Sequence, residues 1–249
     1  MRDDFCFFCP YFQKGRCPVP ENERCQCLEA IYQAWALFYE SVRDAEAIFE
    51  AMERFLSGEG LVWESELFSL IVDREGDKCV LMLTPRGAEV LKEVVEELEL
   101  GGVGGGKVNI LKELCGKRKF EGGGESVEDF LLFARFLEFR EDVRKFIELL
   151  ADAVRNIGIN VDLGKSMLRG ALIQMGGLID TFNLLAEGYG FEDRLTFEYE
   201  DDSWRIAGTI GGRQVDISGD VSRVYELASF AARMGKRAAD MVAGSRRSK

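Results

Sequence analysis

Histidine is absent from this sequence of 249 residues. Without an imidazole there is no Ser–His–Asp or Cys–His nucleophile, and no histidine-ligated metal site. Long apolar runs are missing too. The longest nearly uncharged stretch, Gly170 to Ile179, is interrupted by Gln174, Gly176 and Gly177. It falls short of the roughly 20 residues needed to cross a bilayer, so no membrane partner is expected. The opening segment MRDDFCFFCPYF carries Asp3 and Asp4 and no unbroken apolar core, unlike a secretory signal, which predicts a cytoplasmic location. Side-chain amides are scarce, with Asn at 22, 109, 156, 160 and 183 and few Gln; beside abundant Glu and Arg this points to a thermophilic source.

Charge of one sign is also short. Lys and Arg number 32 against 44 Asp and Glu, a net charge of −12, which excludes wholesale electrostatic coating of nucleic acid. With 47% hydrophobic and 31% charged residues the chain has the composition of a globular protein, not a disordered one.

What the sequence does have is a cysteine cluster. Five of the 7 cysteines lie between Cys6 and Cys27, spaced Cys6-x2-Cys9-x7-Cys17-x7-Cys25-x-Cys27, and Pro10, Pro18 and Pro20 leave this segment little room for a regular element. Two thiolates in a Cys-x2-Cys turn point inward at one ion, the half-site of tetrahedral zinc; Cys17 and either Cys25 or Cys27 would complete four ligands. The metal would supply folding energy that so short a knuckle lacks. An iron–sulfur cluster takes the same four thiolates, and the Cys9-Pro10 and Cys17-Pro18 steps resemble those of ferredoxin loops, although the spacing follows neither standard ferredoxin pattern. Disulfides are the third option, one that thermophiles use even in the cytosol. The block CFFCPYFQKGRC resembles small cysteine modules of prokaryotic proteins of the form C-x-x-C-x-(Tyr/Trp)-x-x-x-G-x-C, a likeness over residues 5–27 that implies metal binding and no particular activity. Cys79 and Cys115 read as small core residues.

The rest of the chain predicts an α+β protein, mainly helical. Ile31, Trp35, Phe38, Val42, Ala45, Phe49, Met52 and Leu56 alternate by four and three, a heptad helix that would pack within the chain or form a homodimer or partner seam. LFSLIVDREGDKCVLMLT (67–84) reads as a β-hairpin with Gly76 in its turn, followed by a helix opened by Pro85 and buried through Val90, Leu91, Val94, Val95 and Leu98. The stretch 101–125, with GGVGGG and a second glycine cluster, is expected to be a linker. Gly101-x4-Gly106-Lys107 has the outline of a phosphate loop, but Val108 stands where a Ser or Thr would hold magnesium, and a helix precedes it instead of a strand. Beyond it come helices from Ser126 to Gly158 and from about Leu163 to Glu187, a three-stranded meander over 195–217, and a last helix capped by Asp220 and stopped by Gly244. The expected organisation is therefore a knuckle (1–27), a long helix with hairpin and helix (28–100), a linker (101–125), a helical α+β domain (126–244) and a basic tail (245–249).

Leu83-Thr84-Pro85-Arg86-Gly87, with the hairpin before it and the helix after it, resembles the wing of MarR- and PadR-type winged-helix regulators over about residues 70–95. That resemblance implies contact with DNA. The acids Asp73, Glu75 and Asp77 at the tip suit phosphate poorly, and no basic recognition helix precedes the hairpin. Cations are concentrated elsewhere: in the run Lys117, Arg118, Lys119, and towards the C-terminus in Arg233, Lys236, Arg237, Arg246 and Arg247. These are the candidate contacts for nucleic acid or an acidic partner. Gln174 and Asp180, set in an otherwise apolar helix, are candidates for buried polar roles, whereas Glu138, Glu141 and Asp142 read as a solvated face. Together these features lead to a metal-stabilised, non-enzymatic binding or regulatory protein, with an iron–sulfur redox protein and a metal-free assembly subunit as alternatives.

Overall fold

A computed structural model describes residues 60–73, 78–102, 106–123, 126–200 and 203–244. The cysteine knuckle, the heptad helix, the Gly76 turn and the basic tail lie outside the described residues. Among these residues the fold is α+β, with five α-helices and two antiparallel sheets of four and three strands. No helix among them is long and apolar enough to cross a membrane. The chain divides into two compact units, each assembled from two stretches: Met1–Glu89 with Glu113–Arg135, and Val90–Lys112 with Phe136–Lys249.

The first unit contains β1 (Leu61–Glu64), β2 (Phe68–Val72), β3 (Lys78–Leu83) and β4 (Lys119–Gly123), paired in that order. The expected hairpin is β2–β3, and its alternation places Phe68, Leu70, Val72, Cys79, Leu81 and Leu83 in the core. It lies inside the sheet. β1 covers one edge through the tight turn in which Ser65 N–H donates to Phe68 O at 2.9 Å, and β4 covers the other from Met82↔Lys119 to Lys78↔Gly123. Trp63 and Phe68 pack edge to face, 5.2 Å between centroids, across the β1–β2 turn.

Helix α1 (Pro85–Leu100) starts at a fixed point. The Thr84 hydroxyl donates to Glu66 O at 2.6 Å and accepts from Gly87 N–H at 3.1 Å, while Thr84 N–H donates to Leu67 O. Gly87 is required here because a Cβ would stand 1.9 Å from Leu67 O. The expected linker, 101–125, carries α2 (Gly106–Lys117) and β4. Glycine-rich sequence is compatible with a short edge strand once β3 offers a ladder.

The second unit contains α3 (Ser126–Ile157) beyond Arg135, α4 (Val161–Gly188), β5 (Arg194–Glu200), β6 (Ser203–Ile210), β7 (Arg213–Asp220) and α5 (Val224–Gly244). Asn160 caps α4 by accepting from Leu163 N–H at 3.1 Å. Its buried stripe runs Leu168, Leu172, Met175, Ile179, Phe182, Ala186, and Phe139 of α3 meets Phe182 at 6.3 Å. That stripe corrects one expectation: Gln174 and Asp180 are exposed, because helical periodicity turns both to the opposite face. The meander β5–β6–β7 forms as expected, with β5 alongside α4 and with Leu195, Trp204, Ile206 and Ile210 buried. Gly211 and Gly212, both at positive φ, make the two-residue β6–β7 turn that matches the twist of its strands. Asp220 caps as predicted, accepting from Ser222 N–H at 2.8 Å on a 3₁₀ turn (Val221–Arg223) that leads into α5.

Candidate functional site

The thiolate cluster of Cys6, Cys9, Cys17, Cys25 and Cys27 falls outside the described residues, so its geometry stays at the level of spacing. Among the described residues no group of three or more Cys, Asp or Glu is placed to hold a metal ion. Cys79 sits in the first unit's core as expected. Burial is the main cause that pushes its thiol up to about 11, with a smaller opposing pull from the Gly122 backbone and a small rise from Asp73. A thiol that stays protonated is a poor nucleophile and a poor ligand. Cys115 lies half-buried two residues before the end of α2.

The basic run is largely neutralised where it stands. Lys117 bonds Glu113 one turn back on α2, and Lys119 pairs with Glu121 on β4 at 2.6 Å. Both glutamates are held below their usual range, first by those hydrogen bonds and then by the lysine charge. Arg118 is exposed and adopts φ 55°, a left-handed conformation that joins α2 to β4. Its carbonyl accepts from Leu83 N–H at 2.8 Å, so the turn is tied to the end of β3.

At the C-terminal helix the three described cations separate. Arg233 and Lys236 are exposed, with the Arg233 guanidinium 5.4 Å from the centre of the Phe230 ring. Arg237 is not available as a contact. Its Nη2 and Nε donate to the two oxygens of Asp193 at 2.8 and 3.1 Å, and its guanidinium lies 4.9 Å from the Phe191 ring centre. Asp193 is buried and also accepts from Gly211 N–H. Burial acts to raise the Asp193 pKa. The hydrogen bonds from Arg237 and Gly211, with the Arg237 charge, outweigh it and hold the carboxyl below its ordinary value. Asp193 gave no signal in the sequence, because the GFEDR loop reads as exposed and its partner lies 44 positions away. Arg246 and Arg247 lie outside the described residues.

Of the three α3 acids read as a solvated face, only Asp142 is exposed; Glu138 is half-buried and Glu141 departs furthest from expectation. Glu141 is buried and chelated by Arg144, whose Nε donates at 3.0 Å. Arg140 reaches Glu97 at 2.8 Å, and a cavity of about 240 Å³ lies between Val90, Glu93, Val143 and Ile147 beside these pairs. A shallower depression of about 850 Å³ lies at the far end of the meander, lined by Glu198, Tyr199, Glu200, Trp204, Arg205 and Arg223. Arg205 is bidentate to Asp216 at 2.9 Å, and Arg223 donates to Ser218 O at 2.7 Å.

No protein-family model, curated protein or solved structure matches the chain significantly.

Proposed function

We propose that this chain is a metal-stabilised, non-enzymatic binding protein whose N-terminal cysteines hold one zinc ion and organise a docking module. The observation that carries this reading is the concentration of five cysteines between Cys6 and Cys27, begun by a Cys-x2-Cys pair in a chain without histidine. Exposed aliphatic side chains support a binding role. Ile157, Ile159, Val161 and Leu163 stand in solvent around the α3–α4 turn, an apolar patch suited to a protein partner or a second copy of the chain. Nucleic acid is the second partner class, and the cations left for it are Arg118, Arg233 and Lys236, with Arg246 and Arg247 outside the described residues; Lys117, Lys119 and Arg237 are engaged by carboxylates.

A redox reading, with an iron–sulfur cluster on Cys6, Cys9, Cys17 and Cys25, is favoured by the Cys9-Pro10 and Cys17-Pro18 steps. Anaerobic purification followed by metal analysis separates the two: a colourless protein with zinc supports the first, and a brown one with iron and sulfide supports the second. Retention on a DNA or heparin column at about 50 mM salt tests the nucleic-acid partner, and flow-through at that salt removes it.

A further inference from the structure

β5 is an edge strand, and its open side has a definite chemistry. At its start Leu195 donates its N–H to Asn183 Oδ1 and accepts at its carbonyl from Asn183 Nδ2, each at 2.8 Å. The α4 side-chain amide thus occupies one strand position on the edge away from β6. With its N–H and C=O both engaged by Asn183, Leu195 exchanges neither with Gly208 opposite, as in a non-hydrogen-bonded antiparallel pair. Strand alternation then fixes the rest: Phe197 and Tyr199, like Leu195, direct N–H and C=O away from β6. Among the described residues no strand pairs with that edge.

The surroundings of this edge are those of a groove. Gly176 leaves room for Phe197, whose ring lies 3.7 Å from where a Cβ of Gly176 would be. Asn183 at Leu195 and Gly176 at Phe197 show α4 running alongside β5 in the opposite direction, so Ile173, 55% exposed, lies further along towards Tyr199. Tyr199 is 50% exposed and stacks on Phe197 at 5.8 Å. On the face away from α4, Glu198 and Glu200 are exposed, and Arg205, opposite Glu198, is itself paired with Asp216; Asp180 is exposed on α4.

We infer that the β5 edge beside α4 is a docking site for an extended segment of a partner protein that alternates apolar residues with Lys or Arg. Such a segment would add a strand to the meander, bonding Phe197 and Tyr199 through its backbone. Its apolar residues would face Phe197, Tyr199 and Ile173, and its cations would face Glu198 and Glu200. A second copy of β5 fits less well. Pairing centred on Phe197 needs the Leu195 groups that Asn183 occupies, and pairing centred on Glu198 sets that carboxylate against itself. This site is independent of the cysteine cluster, so loss of metal binding leaves it standing.

The test uses the full chain with an end-blocked, fluorescently labelled peptide of alternating Lys and Val, and a Glu–Val peptide as control. In the free chain the Phe197 and Tyr199 amides exchange rapidly with solvent deuterium, and the Lys–Val peptide slows both while leaving Thr196 and Glu198 unchanged. Tyr199→Pro removes one docking N–H at an edge position that tolerates proline, and lowers affinity about tenfold or more. Glu198→Lys with Glu200→Lys does the same. Slow exchange at Phe197 and Tyr199 in the free chain overturns the inference, as do equal binding of both peptides and binding without protection of those two amides. A dimer of the chain that Tyr199→Pro dissolves also overturns it, in favour of a second copy. If Tyr199→Pro does not fold, the exchange measurement on the unaltered chain decides alone.

Discussion

At the residue scale, burial and partners decide what a charge is for. Arg237 has the sequence context of a contact residue, in a basic stretch near a helix end, yet its guanidinium closes on Asp193 and Phe191. Arg237→Ala leaves the Asp193 carboxylate buried and unpaired and should cost about 2–4 kcal/mol in urea unfolding, whereas Asp193→Asn leaves a guanidinium that still reaches solvent and should cost less. Asp193 also gives a pH signature. Its folded pKa lies below the unfolded value of about 3.9, so its contribution is full above that value and is lost as pH falls through the depressed folded pKa. Unfolding curves between neutral pH and about pH 3 should fall more steeply for the parent chain than for Asp193→Asn, and parallel curves would contradict the assignment. Arg118 makes the opposite prediction. An L-residue at φ 55° is strained, so Arg118→Gly should leave stability unchanged or raise it by up to about 1 kcal/mol, measured by the same curves. If that variant also loses retention on DNA at low salt, the strained arginine is held there for contact, not for the fold.

At the scale of elements, the two classes of helical glycine on α4 separate packing from propensity. Gly164 lies against Ile157, where a Cβ would stand 2.7 Å from the backbone nitrogen, whereas Gly170 faces open space. Gly164→Ala should therefore destabilise by about 2 kcal/mol or more, and Gly170→Ala should stabilise by about 0.5–1 kcal/mol, as thermal melts would show. The same physics explains which elements were legible beforehand. The β2–β3 hairpin announced itself as two apolar runs about a polar turn, the meander by period-two alternation split by polar and glycine turns, α1 by Pro85 and its apolar stripe, and α5 by its Asp220 cap and Gly244 stop. β4 did not, because Lys119 to Gly123 is short and glycine-rich and becomes a strand only through its ladder with β3. β1 was missed for the same reason: four residues, three of them buried, carry no alternation to read. Gln174 and Asp180 were misplaced because two polar residues in an apolar run look buried until the helix is given its phase, and Glu141 because a buried carboxylate is recognisable only with Arg144 beside it.

At the scale of the whole molecule, the least legible property was the division into units. Each unit draws on two separated stretches, and the borders fall inside α1, α2 and α3, not in the glycine clusters. Composition marks flexible sequence, but a compact unit is defined by contacts between distant segments, which no local pattern records. The cysteine cluster was the reverse case, since thiolate spacing is itself the signal and needs no fold to be seen. The claim on which the function turns is that four of those thiolates converge on one inorganic centre. Anaerobically purified full-length chain, analysed for metals and for thiols open to alkylation, tests it directly. The expected result is one zinc per chain, with Cys6, Cys9, Cys17 and one of Cys25 and Cys27 protected from alkylation until a chelator is added. A metal-free chain whose N-terminal cysteines are freely alkylated or joined as disulfides would contradict it.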